Sequence, residues 1–205
     1  MSTDIYGGIE FRHPGVDAGY YEGEPWVKAM DLWPLYDQND HESFSCLFGV
    51  HDRAGFRPPS AGRGLPADVS SGLADLGPQL EAGDLHGATW VDWAEIAGID
   101  PRATPAVFSG RLSWSAASHP ARIDQRLVSE RWPADAVEAV GPPPPGLDRA
   151  RPAEWSRGGL RCRYEPLTVG SVLGDGSDWQ HVFAVMKALA ARYGERHVRL
   201  VVAFD

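Results

Sequence analysis

Residues 3–12 read TDIYGGIEFR, with two carboxylates, Asp4 and Glu10, and the phenol of Tyr6 at alternating positions. Side chains on a strand alternate between faces, so Asp4, Tyr6 and Glu10 share one face while Ile5, Ile9 and Phe11 share the other. A carboxylate can act as a general base, and hard oxygen donors can hold a divalent cation. Asp4 and Glu10 are therefore candidate catalytic residues, with Tyr6 as a ligand-binding neighbour. At a rise of about 3.3 Å per residue, Asp4 and Tyr6 stand about 7 Å apart, and Glu10 about 13 Å beyond Tyr6. One ion cannot bridge Asp4 and Glu10 unless a bulge folds the strand. The two acids frame a groove or pair with arginines. Arg199 has the phase to face them if the terminal strands pair, and an ion-paired sheet face is the plainer alternative.

His86, two residues after Asp84, is the histidine best placed to join them. With Asp4 it makes a candidate catalytic or metal pair, the cofactor in question being a divalent cation. His41, between Asp40 and Glu42, and His51, beside Asp52, are weaker candidates, since no histidine pair has the H-E-x-x-H spacing of a helical zinc site. The loop SAGRGLPADVS, residues 60–70, lacks the glycine spacing and lysine of a phosphate cradle. Arg57 and Arg63 could still clamp an anionic group from a pocket rim. SGRLSWS has no nucleophile elbow, and GDGSDW, residues 174–179, lacks the ligand spacing of an EF-hand and reads as a helix cap.

These residues need elements to carry them. A first strand over 4–12 ends at His13-Pro14-Gly15. Residues 25–36 fit a strand pairing back onto the first better than a short helix stopped at Pro34. NDHESFSCLFGV reads as a helix with Asn39 as N-cap, Glu42 completing a capping box, and Gly49 as its stop. A short helix starting at Asp68 or Ser70 ends near Gly77-Pro78. TWVDWAEIAG reads as a helix with a Thr89/Asp92 capping box. HPARIDQRLVSERW also looks helical, as does the segment from Pro133. GPPPPG, residues 141–146, is extended and exposed. GGLRCRYEPLTVGSVL reads as a strand or hairpin. DWQHVFAVMKALAARYG is an amphipathic helix between Asp178 and Gly194. In HVRLVVAFD, Val198, Leu200, Val202 and Phe204 line one face of a strand. Trp90, Trp93 and Trp179 fall at packing positions, while Trp114, Trp132 and Trp155 are candidates for a ligand or partner surface.

The expected fold is α+β: a single domain over residues 1–205, with a mixed or mainly antiparallel sheet that includes both terminal strands and is covered by several helices. Residues of about 100–175 form a Pro-rich elaboration. A chain of 205 residues can bury a full core without crosslinks. Its net charge of −9 makes nucleic acid a poor ligand. Cys46 and Cys162 form neither a metal spacing nor a disulfide framework. With no signal pattern and no apolar run of membrane-spanning length, a cytoplasmic location is expected and a membrane association is not.

Several segments resemble a group of uncharacterised actinobacterial and phage or prophage proteins. The resemblance rests on DIYGGIE at 4–10, NDHESFSCLFGVHDRAGFRP at 39–58, GRGLPADVS at 62–70, HGATWVDWAEI at 86–96 and LAARYGERHVRLVVAF at 189–204. It implies no activity. Where phage members of that group carry cysteine and histidine in the opening motif, this chain has Thr3 and Tyr6, which removes two good transition-metal ligands. The functional expectation is an accessory protein with a polar pocket at the first strand. Asp4, Tyr6, Glu10 and His86 line it, Arg57 or Arg63 forms the rim, and it binds a small polar ligand or divalent cation, with acid–base or metal-assisted hydrolysis as its chemistry if it is an enzyme. The alternative is a non-catalytic acidic interaction protein, such as a phage-derived regulator, inhibitor or immunity-type protein, with a basic partner.

Overall fold

Alternation over the first strand is realised as β1 (Ile5–Arg12), which pairs antiparallel with β2 (Trp26–Asp31) on one side and with β8 (Val198–Phe204) on the other. The computed structural model describes residues 3–116 and 118–205. Residues 25–36 thus open as a strand. β3 (His86–Asp92), antiparallel to β8 on its other side, completes a sheet of order β2-β1-β8-β3. Both terminal strands lie in this sheet, and every residue of β8 is buried.

Burial on both faces explains the apolar content of β8. On one face Phe204 packs against Phe44 and Phe48 of α1 (His41–Phe48), at centroid distances of 5.1 and 5.7 Å. Trp179, at the start of α6 (Trp179–Tyr193), meets Phe48 there at a tilted angle, ring centroids 5.7 Å apart. On the other face Val201 and Ala203 pack with Leu73, Leu76 and Leu85. Leu73 ends a 3-10 turn (Ser71–Leu73), and Leu76 starts α2 (Leu76–Ala82).

Two compact units emerge from the chain, one comprising residues 1–52, 57–100 and 173–205, the other 53–56 and 101–172. The sheet just described belongs to the first. The second has its own antiparallel sheet, order β5-β4-β7-β6, from β4 (Gly110–Ala116), β5 (His119–Val128), β6 (Ala153–Arg157) and β7 (Leu160–Pro166). One face of it packs on α4 (Ala134–Val140), burying Leu112, Val128, Trp132, Ala136, Val140, Cys162 and Tyr164. Trp132 and Trp155 stack at 5.9 Å, and Trp114 packs against the same core, so these indoles are structural. Between the core and the chain's return lies α5 (Val169–Leu173).

Local readings differ from the structure at five places, the first being α5, where the end of a segment expected as strand or hairpin is helical. His119–Val128, expected as helix, is strand, because ladder pairing of Ile123–Val128 with β4, resumed at His119 after a bulge, overrides a mixed polar pattern. Residues 86–92 are strand, and only α3 (Trp93–Ala97) is helical. The capping box there is Asp92/Glu95, while the Thr89 hydroxyl donates to the Ser60 carbonyl. Asp40, rather than Asn39, caps α1, accepting from the amides of Glu42 and Ser43. Gly77-Pro78 lies in the first turn of α2, where a missing amide proton costs nothing, and Gly83 ends that helix instead. Among the described residues no helix is long and apolar enough to cross a membrane.

Candidate functional site

Register across β1 and β8 sets Glu10 directly opposite Arg199. Glu10 is fully buried. Arg199 Nε donates to Glu10 Oε2 at 2.7 Å, and the Ser70 amide donates to Glu10 Oε1 at 2.8 Å. The rest of the guanidinium turns to Asp68: Nη1 donates to Oδ1 at 2.8 Å and Nη2 to the backbone carbonyl at 3.0 Å. Trp26 Nε1 donates to the second Asp68 oxygen at 2.8 Å, and its ring lies 3.8 Å from the guanidinium carbon. Burial pushes the Asp68 carboxyl up, but the Arg199 hydrogen bond and charge, with Trp26, outweigh it and hold it below the usual carboxylate range. This constellation staples the 66–71 loop to the sheet. Both oxygens of Glu10 are engaged in it, so its role in the structure is that of an anchor.

At the other end of β1, Asp4 and Asp205 face each other across the strand pair. The Asp4 amide donates to Asp205 Oδ1 at 2.6 Å, and the Asp205 amide to the Asp4 carbonyl at 3.3 Å. Tyr6 is 42% exposed. Partial burial first, then the Asp205 and Asp4 charges, raise its pKa above the usual phenol value. Tyr6 lines a cleft of about 390 Å³ together with Lys28, Asp31, Trp33, Gly72 and Asp75, floored by Ile5, Leu73 and Leu76. Lys28 Nζ bonds Asp31 at 3.0 Å across it, and Trp33 is 73% exposed.

His86 sits at the opposite face of the same sheet end, its ring 6.4 Å from Phe204. It meets His51 edge-on at 6.1 Å, and His51 stacks on His41 at 4.9 Å. His51 is held there by Thr3, whose hydroxyl lies 2.9 Å from its Nε2, and by a left-handed backbone, φ 54°. Three histidines from separate segments thus converge. Among the described residues, however, no group of three or more histidine, cysteine or acidic side chains is arranged to hold a metal ion.

The expected rim residues take separate places. Arg63 forms a fork on Glu95, at 2.5 and 2.9 Å, donates to the Pro59 and Trp90 carbonyls, and lies 4.7 Å from the Trp90 ring. Arg57 is exposed. The candidate residues therefore divide into a buried anchor at Glu10, a cleft at Tyr6, a histidine cluster at His86 and a clamped loop at Arg63. Lys28, Asp31, Trp33, Asp75 and Asp205 are additions that the sequence reading lacked. Asp205 was within reach, since antiparallel terminal strands must bring residue 205 beside residue 4. Lys28 and Asp75 arrive from separate segments with no shared spacing.

Compared with known proteins, the chain matches no family model, no curated protein and no solved structure.

Proposed function

We propose that the protein is a binding protein whose site is the cleft at Tyr6, taking a small polar molecule that carries a flat ring. The observation behind this reading is the cleft itself. Its volume of about 390 Å³ falls in the range of small-molecule sites, which combine apolar walls with a few placed polar groups. An accessible phenol and indole offer stacking surfaces, and Lys28, Asp31 and Asp75 offer one cationic and two anionic partners. Glu10, on the same strand as Tyr6, belongs to the scaffold. If the ligand is turned over, the exposed carboxylate of Asp4, whose charge acts on Tyr6, is the candidate base, and the chemistry is acid–base hydrolysis.

The test is a tryptophan-fluorescence titration against nucleosides and other ring-bearing polar metabolites. A saturable change is expected with at least one, weakened about tenfold in Tyr6→Ala, the scale of one lost stacking contact. No saturable ligand, or an unchanged affinity in that variant, rejects the site.

A second reading is favoured by the charge distribution. The first unit carries 21 acidic and 8 basic residues, a net −13. That field suits a basic protein partner, attracted over a distance and released by salt. A partner recovered at low ionic strength and lost at high salt is the expected outcome; retention independent of salt argues against it.

A further inference from the structure

The geometry points to a separate site in the second unit: a cleft for a small polyanion, a phosphorylated or polycarboxylated molecule. The cleft has a volume of about 950 Å³, and Arg102, Arg131 and Arg149 line it against a single carboxylate, Glu130. The setting is electropositive. This unit contains eleven arginines, no lysine and seven acidic residues, a net +4 within a chain of net −9. Arginine is the cation whose planar fork matches phosphate and carboxylate oxygens two at a time.

The walls are fixed before any ligand arrives. The Leu167 amide donates to the Ser109 carbonyl at 3.0 Å, Val169 to Ala103 at 2.9 Å and Gly170 to Pro101 at 2.7 Å, tying residues 101–109 to the strand end at Pro166. Gly170 allows this approach, since a Cβ there would stand 2.9 Å from the Pro101 carbonyl oxygen. The Tyr164 hydroxyl lies 3.0 Å from the Ser109 carbonyl and 3.2 Å from that of Arg149, bracing both walls. Arg149 donates to the carbonyls of Ser129 and Glu130, at 3.4 and 2.5 Å, which orients its guanidinium and leaves three of its five N–H groups. The Ser129 hydroxyl donates to the Arg131 carbonyl at 2.9 Å and sets the turn that presents Arg131, whose side chain is exposed and makes no ion pair among the described residues. With its walls and the Arg149 guanidinium held in advance, the site loses less entropy on binding than a mobile one would.

Calorimetric titration of the full chain with inorganic pyrophosphate, and separately with citrate, tests it. Saturable single-site binding of at least one probe is expected; the stronger one identifies phosphoryl or carboxylate as the recognised group. Arg131→Gln should weaken binding about tenfold or more without shifting the melting temperature. Arg163→Gln, on β7 where that side chain bonds Glu165, should leave binding intact. Should Arg131→Gln fold poorly, Arg131→Lys, which keeps the charge and loses the fork, should give a partial loss. No saturable binding of either probe overturns the proposal. So does wild-type binding in the Arg131 variants, or an equal loss in Arg163→Gln, which would reduce the effect to overall charge.

Discussion

The carboxylate of Glu10 is enclosed by the Ser70 amide on one oxygen and by Arg199 on the other, and Arg199 in turn is shared with Asp68. Removing one member of a buried ion pair leaves an uncompensated charge, which costs more than the pair contributes. Glu10→Gln retains the side chain's shape and removes its charge, so a loss of about 3 kcal/mol in urea denaturation is expected. A variant within about 0.5 kcal/mol of the parent would show that Asp68 alone satisfies Arg199. Asp68 also makes this anchor acid-sensitive. Its folded-state pKa is lowered, so its contribution is complete above the ordinary carboxylate pKa of about 4 and is lost as pH falls through the lower folded value. Asp68→Asn should flatten the acid limb of the stability profile. An unchanged limb would place the acid sensitivity in other carboxylates.

At the scale of elements, β1, β8 and α6 were legible because each has a strong period and clear end signals, and the Glu10–Arg199 pairing followed from their phase. The β3–α3 boundary was not, because Trp90, Trp93 and Ile96 satisfy a helical spacing while residues 86–92 satisfy the edge of a sheet, and only β8 decides between them. β5 was misread for the same reason: its first eight residues are exposed, so no buried face imposes alternation on the sequence. The Tyr6 cleft was half legible. β1 supplies Tyr6, but Lys28 comes from the neighbouring strand, and Asp75 from a loop more than forty positions on. The Gly7-Gly8 pair in β1 did carry a signal, since glycine inside a strand marks a close backbone approach. Gly7 has φ 144°, and a Cβ there would run into the Val201 carbonyl oxygen of β8. Gly7→Ala should therefore destabilise the first sheet by more than about 2 kcal/mol, through backbone strain and overlap together. Thermal unfolding checks this, and an unchanged melting temperature would mean that β1 can shift away from β8 at little cost.

Each of the two units holds one thiol in its apolar interior. Cys46 lies in α1 of the first unit, where burial, reinforced by the Asp40 and Asp52 charges, pushes its pKa up to about 12. Cys162 lies in β7 of the second, where burial raises its pKa against the opposing pull of Arg157. The reactive species is the thiolate, which at neutral pH is scarce at both positions and screened from reagent as well. Both thiols should react with an aromatic disulfide reagent more than about a hundredfold more slowly than free cysteine, and labelling should proceed only when the surrounding core opens. Peptide mapping by mass spectrometry then reads the opening of each core separately. Glu10→Gln, which weakens the sheet on which α1 packs, should accelerate labelling at Cys46 by up to about a hundredfold, the factor set by about 3 kcal/mol. Acceleration at Cys46 ties the helical layer to the buried ion pair through the sheet between them. Labelling at the parent rate would show instead that α1 exposes its thiol by a local motion that leaves Glu10 and Arg199 paired.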